Sequence, residues 1–179
     1  MSSDVDPFAT TPYVPFEVSL PPLASRHKAA AIALFASCAA MTFGLASFGW
    51  FTQRGVGIGL LGVRTCAEDL SCHTASWLAA SGVPASVPPL GLAGVLALAA
   101  SIVLALNAGV KVLQGGRVQR LALEIALSVA ALAVVGFGYA MFGSTIGNGI
   151  HLGYAGFVAL AGLAGAGIAL GIMRDRAAR

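Results

Sequence analysis

Four long apolar runs constrain the fold of this chain more than any other feature. Each run is 21 to 24 residues long. At about 1.5 Å rise per residue, such a helix crosses the roughly 30 Å hydrocarbon core of a bilayer. Helices are favoured because lipid offers no partners for unpaired backbone groups. The predicted transmembrane helices cover about 29–51, 89–113, 118–142 and 150–173.

Composition supports the same conclusion, since 58% of the residues are hydrophobic and only 9% are charged. Soluble domains carry about a quarter charged residues. The net charge of +3 comes from basic residues that flank the apolar runs, which argues against nucleic-acid binding. We therefore predict an all-α membrane protein, a four-helix bundle with a small disulfide-stapled outer loop over 52–88 that can contain strands.

The Lys and Arg residues predict the orientation. Eight lie before the first run, between the second and third, or after the fourth, and only Arg54 and Arg64 lie elsewhere. The positive-inside rule then places both termini in the cytoplasm, in a plasma or bacterial inner membrane. The loops at 52–88 and 143–149 face outward, and Trp50, Tyr139 and Tyr154 are predicted to form an outer aromatic belt.

Residues 1–27 are predicted to be a Pro-rich cytoplasmic tail in front of a membrane domain over 28–179. Prolines exclude a helix through most of this tail. Two interpretations stay open: a disordered leader, or an extended segment whose aromatic residues dock on a partner.

Cys66 and Cys72 stand in the long outer loop, where disulfides form and persist. A bridge between them would remove about 2–2.5 kcal/mol of unfolded-state entropy. A structural staple is the first interpretation, and a redox-active pair, as in quinone-linked thiol oxidases, is the second. The third cysteine, Cys38, is predicted to be a small buried apolar residue.

Other parts of this loop carry local expectations. The run Val56–Val63 is typical of one short strand that leads to Cys66. Trp77 and the three residues after it are typical of an amphipathic turn on the bilayer surface, a level that Trp favours.

Trp50, then Gly59-Leu60-Leu61, then Cys66 and Cys72 together resemble the claudin and peripheral myelin protein pattern. That pattern has a Trp, a Gly-Leu-Trp and two bridged cysteines in the first outer loop of a four-helix protein. The resemblance implies a strand-rich cap held by one disulfide, and side-to-side association in the membrane. Leu61 stands where the family has Trp, and the 143–149 loop is expected to be too short to add an edge strand.

Glu124 is the only acid within a predicted helix. It lies one turn after Arg120, and Asn107 lies one turn before Lys111 on the neighbouring helix. Because a short link joins these helices, we expect a polar contact between Asn107 and Glu124 near the cytoplasmic face, with Arg120 and Lys111 beside it. An ion relay through Glu124 is the alternative.

The fourth helix is rich in glycine, and Gly162, Gly165, Gly167 and Gly171 form its predicted packing face. Small residues at such spacing allow close helix approach. The partner helix is either in the same bundle or in another subunit.

These features predict a non-catalytic membrane subunit that packs laterally with itself or with a larger membrane complex, using its outer loop as a contact surface. A small transporter or channel component and a membrane thiol-redox protein are the alternatives. His73 and His151 are too few to bind a metal. No catalytic residue or cofactor is assigned, and the expected partners are lipid and other membrane subunits.

Overall fold

The computed structural model describes residues 23–53, 56–67, 71–79, 85–142, 149 and 151–174. Its four helices are long and apolar enough to span a membrane. They are α1 (Leu23–Ala46), α2 (Val87–Leu113), α3 (Arg120–Phe142) and α4 (Tyr154–Arg174). The predicted four-span architecture is therefore confirmed at the level of helix number, length and composition.

Three predicted helix ends are wrong, and two of them lie at the same end of the bundle. Helix α1 stops at Ala46 instead of residue 51, and α4 begins at Tyr154 instead of residue 150. Phe51 after α1 and Leu152 before α4 belong to strands instead, because apolar composition alone cannot distinguish a strand from a continuing helix. Helix α1 also begins at Leu23, so the last residues of the predicted tail are helical, while residues 1–22 lie outside the described part.

The link between α2 and α3 is closed by a glycine turn. Gly115 adopts a φ of 72°, a conformation that favours glycine. Its N–H donates to Val112 O at 3.3 Å, and the N–H of Gly116 donates to Lys111 O at 2.8 Å. This pair of bonds is the Schellman pattern that satisfies the last carbonyls of a helix. It ends α2 and reverses the chain direction, so that α3 runs back alongside α2.

A five-stranded antiparallel sheet lies at the opposite end of the bundle. Its strands are β1 (Phe51–Gln53), β2 (Val56–Gly59), β3 (Gly62–Cys66), β4 (Cys72–Ser76) and β5 (His151–Leu152), in the spatial order β4-β3-β2-β1-β5. We call this sheet the cap, its end of the bundle the cap end, and the end that carries Lys111, Arg117 and Arg120 the basic end.

Two expectations about the cap are wrong. The predicted single strand over 56–63 is a hairpin, because Leu60 and Leu61 form a turn between β2 and β3. The second connection does add an edge strand, since Phe51 pairs with Leu152 and Thr52 with His151. That pairing needs only two residues, which come from the start of the predicted fourth helix rather than from the short loop.

Helix α1 packs mainly against α4 and α2, and α2 packs against α3, whereas the contact between α3 and α4 is smaller than these three. Fully buried side chains such as Leu34, Met41 and Leu98 fill the interior. Large apolar side chains also lie on the outer faces, and Leu96 and Leu132 are more than 70% exposed. An apolar exterior around an apolar interior is expected where hydrocarbon is the solvent.

Candidate functional site

The cap and its junction with the helices form the most elaborate part of the described structure. Cys66 and Cys72 face each other across β3 and β4 and form a disulfide. Behind them the N–H of Ala67 donates to Ser71 O at 2.9 Å. The predicted staple is therefore present, and it closes the outer end of the strand pair that lies farthest from β5.

Trp50 joins the cap to the first and last helices. Its indole N–H donates to Gly44 O in α1, and its backbone N–H donates to Ile58 O in β2 at 3.0 Å. Its carbonyl accepts the N–H of Gly153 at 2.7 Å, just before α4. The side chain is only 2% exposed. Trp50 is therefore a core residue, and its assignment to an outer aromatic belt is wrong.

The turn of the β2–β3 hairpin is inserted against α2. Leu60 is fully buried, and its side chain lies over Gly94. The indole N–H of Trp77 donates to Leu60 O at 2.7 Å. A Cβ on Gly91 would stand 2.6 Å from the indole nitrogen of Trp77, so only glycine leaves room there. We call Leu60, Trp77, Gly91 and Gly94 the hairpin lock.

The expectation that Trp77 lies on the bilayer surface is wrong, because its side chain is only 3% exposed within the hairpin lock. The indole N–H explains the difference. A buried Trp needs a hydrogen-bond partner, and the Leu60 carbonyl supplies one inside the protein. The neighbouring Leu78 is 85% exposed.

An aromatic cluster below the sheet was not predicted from the sequence. Phe137 of α3 is fully buried, and the rings of Trp50, Phe51 and Trp77 surround it with centroid distances of 5.8 to 6.1 Å. Aromatic pairs at such distances add about 0.5–1.5 kcal/mol beyond area burial. The cluster therefore connects both halves of the cap to α3.

Tyr139 and Tyr154 remain candidates for the outer belt. They lie at the cap ends of α3 and α4 and are 80% and 64% exposed. The ring of Tyr154 also lies 6.0 Å from that of Phe43 on α1. Their exposure at this level is what a membrane-interface position requires, and the belt stays a prediction for these two residues.

The predicted packing face of α4 divides into two parts. A Cβ on Gly162 would lie 2.9 Å from both Met41 Cγ and Ser37 O, and one on Gly165 would lie 2.7 Å from Ser37 Oγ. These two glycines therefore let α1 and α4 approach closely. Gly167 and Gly171 have nothing within 4 Å of the corresponding position and are exposed. They are not used in packing within the described bundle.

The expected contact between Asn107 and Glu124 is not formed in the described structure. Both residues are exposed, and no hydrogen bond or ion pair joins them. Helix α3 buries Leu123 and Leu127, so Glu124, about 100° further round the helix, points outward. Asn107 and Lys111 instead line a small crevice with residues 118 and 119, and Arg120 faces another cleft.

Polar side chains buried between the described helices are confined to two serines. Ser37 donates to Ala33 O at 2.7 Å, and Ser101 donates to Ala97 O at 2.8 Å. Both bonds stay within their own helix turn. Buried Cys38 lies with its Sγ 3.7 Å from Ile102 O of α2, within hydrogen-bond range for sulfur.

The sheet order separates the two histidines of the cap. His73 is on β4 and His151 is on β5, at opposite edges. Four strand spacings amount to roughly 19 Å, far beyond the reach of one metal ion. Within the described residues no group of three or more His, Cys, Asp or Glu side chains lies close enough to hold a metal.

The described geometry defines a class of protein: an integral membrane protein with four spanning helices and a disulfide-bonded sheet at one end of them. No protein-family model matches the chain, and no curated protein matches it either. Its function is therefore inferred from its own residues.

Proposed function

We propose that this chain is a non-catalytic membrane protein that associates laterally in the bilayer, with itself or with a larger membrane complex. The observation that carries this proposal is the divided glycine face of α4. Gly162 and Gly165 are used inside the bundle, whereas Gly167 and Gly171 leave an open face directed away from it. A second helix can approach such a face closely, gaining dispersion contacts that lipid tails do not match.

The filled interior supports the same function. A transporter or channel needs a path lined by polar groups. Between the described helices the buried polar side chains are Ser37 and Ser101, and each bonds to its own helix. The outer surface of the protein is therefore better suited to association than its interior is to transport.

A structural role for the Cys66–Cys72 disulfide is better supported than a thiol-redox function. The chain has three cysteines, and the third, Cys38, is buried against α2. It belongs to helix α1, whereas Cys66 and Cys72 belong to the cap. Thiol exchange requires one sulfur to attack another directly. We therefore propose that the disulfide stiffens the cap as a contact surface.

Kinship with the claudin and peripheral myelin protein group is also part of this proposal. What supports it is the position of the quoted residues. Trp50 precedes β1, Gly59 ends β2 before Leu60 of the hairpin lock, and Cys66 and Cys72 bridge β3 and β4. Leu61, where the group has Trp, is 43% exposed at the hairpin tip, so a larger ring there would meet no packed core.

Substitution of both open glycines tests lateral association. The double variant Gly167→Leu/Gly171→Leu places bulk on the open face, and we expect it to reduce the protein mass within the detergent-solubilised particle to that of one chain, 17.9 kDa. The measurement is light scattering coupled to size-exclusion chromatography, after mild solubilisation from native membranes. The wild-type chain is expected to run as a larger particle.

Gly138→Leu on α3 is the matched control, because a Cβ at Gly138 also has nothing within 4 Å. It should leave the particle mass unchanged. A wild-type chain that is already a solitary monomer, or a double variant that keeps the wild-type mass, would remove the basis for the proposal.

The proposed outward position of the cap is tested by thiol labelling. In intact cells or spheroplasts, a membrane-impermeant maleimide should label Cys66 and Cys72 only after brief treatment with a reductant, since both residues are exposed and bridged. Cys38 is buried and serves as an internal reference, which we expect to react only after denaturation. Labelling without reductant would contradict the staple, and labelling only after cell lysis would reverse the orientation.

A further inference from the structure

A cleft of about 340 Å³ opens at the basic end of the bundle. Arg117 and Arg120 line it, together with His27 from α1. Among the described residues that line the cleft there is no Asp or Glu, and neither arginine forms an ion pair with a described residue. The described lining of the cleft therefore carries positive charge that no described carboxylate compensates.

The depth of the cleft follows from the helix ends. His27 and Arg120 begin the first and third apolar spans, and Met173 ends the fourth. All three line the cleft, as does Val112, one residue before the second span ends at Leu113. All four spans thus end at this cleft, which places it at the level where hydrocarbon gives way to lipid headgroups.

One part of the lining is apolar. Val112, Val118 and Met173 line the same cleft as the two arginines. An inorganic anion would use only the cationic part of such a site. A molecule with a phosphate beside a hydrocarbon chain matches both parts, because charge and apolar surface are then paired at once.

We propose that this cleft binds an anionic phospholipid, whose phosphate pairs with Arg117 and Arg120 and whose first chain segments lie against Val112, Val118 and Met173. The guanidinium group suits this role, since its planar donors match phosphate oxygens in a bidentate manner. The site goes beyond lateral association and does not depend on it, because the cleft is formed within one chain.

Lipid binding to the purified full chain in detergent tests the proposal, with native mass spectrometry as the readout. We expect phosphatidylglycerol to bind in preference to phosphatidylcholine of the same acyl composition. Each cation near an anionic headgroup contributes about a fivefold factor in affinity. The variant Arg117→Gln/Arg120→Gln should therefore weaken phosphatidylglycerol binding about 25-fold.

Two controls keep the test specific. Lys28→Gln removes one charge from the same end of the molecule at an exposed residue outside the cleft lining, and it should change the affinity less than about twofold. Arg117→Lys/Arg120→Lys keeps both charges and should retain most of the binding even if the glutamine variant folds poorly. The same spectra report the number of chains per particle, so loss of lipid binding and loss of association are distinguishable.

Three results would overturn the proposal. Equal binding of the two lipids would remove the role of charge. Unchanged binding in the glutamine variant, or an equal loss of binding in Lys28→Gln, would place the site elsewhere. Competition by millimolar inorganic phosphate that matches competition by phosphatidylglycerol would show an anion site without the lipid component.

Discussion

Replacement of Trp77 by alanine is expected to destabilise the cap strongly, by about 3–5 kcal/mol. The side chain is 3% exposed, and its indole N–H bonds to Leu60 O. Its ring also packs 5.8 Å from that of Phe137. Alanine removes all three interactions and leaves a cavity beside Gly91. Faster hydrogen exchange of amides in β2, β3 and β4, in detergent-solubilised protein, is the measurement.

The loss should be specific to the buried ring. Leu78→Ala alters the next residue, which is 85% exposed, and should leave exchange in the cap unchanged. Trp77→Phe keeps most of the ring but leaves the Leu60 carbonyl without its donor, at a cost of about 1–3 kcal/mol. If Trp77→Ala exchanged at the wild-type rate, the hairpin lock would not hold the cap.

Gly162→Val is expected to have the second-largest effect, because it forces α1 and α4 apart. A Cβ there would lie 2.9 Å from Ser37 O and 3.0 Å from Met41 N, both of them backbone atoms that cannot rotate away. Overpacking of this kind costs about 1–3 kcal/mol, and contact with backbone places Gly162 at the upper end. The free energy of unfolding in mixed micelles of increasing dodecyl sulfate content measures the loss.

Gly138→Val on α3 is the matched control for this substitution, because Gly138 lies outside the glycine face proposed for association. It makes the same chemical change inside another helix, where a Cβ has nothing within 4 Å. Its unfolding free energy should stay within about 0.5 kcal/mol of wild type. Equal destabilisation by both variants would mean that helix propensity, and not the contact between α1 and α4, causes the effect.

The four spans and the disulfide were predictable because each rests on a one-dimensional signal. A run of more than twenty apolar residues has few structural solutions, and two cysteines six residues apart in a loop have an obvious partner in each other. Helix number, length and composition required no knowledge of which face of each helix turns inward.

The roles of single residues were harder to predict, because they depend on three-dimensional neighbours. Trp is a residue type that favours the membrane interface. The carbonyls of Gly44 and Leu60, however, give the indole groups of Trp50 and Trp77 partners inside the protein. Gly91 did carry a general signal, since a small residue in a membrane helix permits close approach by a neighbouring group. Nothing in the sequence indicated which group that was.

The inward or outward direction of each side chain also escaped prediction. Asn107 and Glu124 were placed at one depth from the length of the link, yet depth does not fix rotation about the helix axis. Similarly, four glycines of α4 looked equivalent in sequence, but only Gly162 and Gly165 face α1. A helix that is apolar all round gives no amphipathic pattern from which its buried face can be read.

The strand order of the cap has a consequence for biogenesis. Strands β1 to β4 lie between α1 and α2, and their disulfide joins residues six positions apart, so this part can form while the ribosome is still translating the rest. Strand β5 is made only after α3, and it borders β1 at the opposite edge from the disulfide. Completion of the sheet therefore reports that α3 has been synthesised, and a chain arrested after α3 keeps the edge of β1 open to other strands.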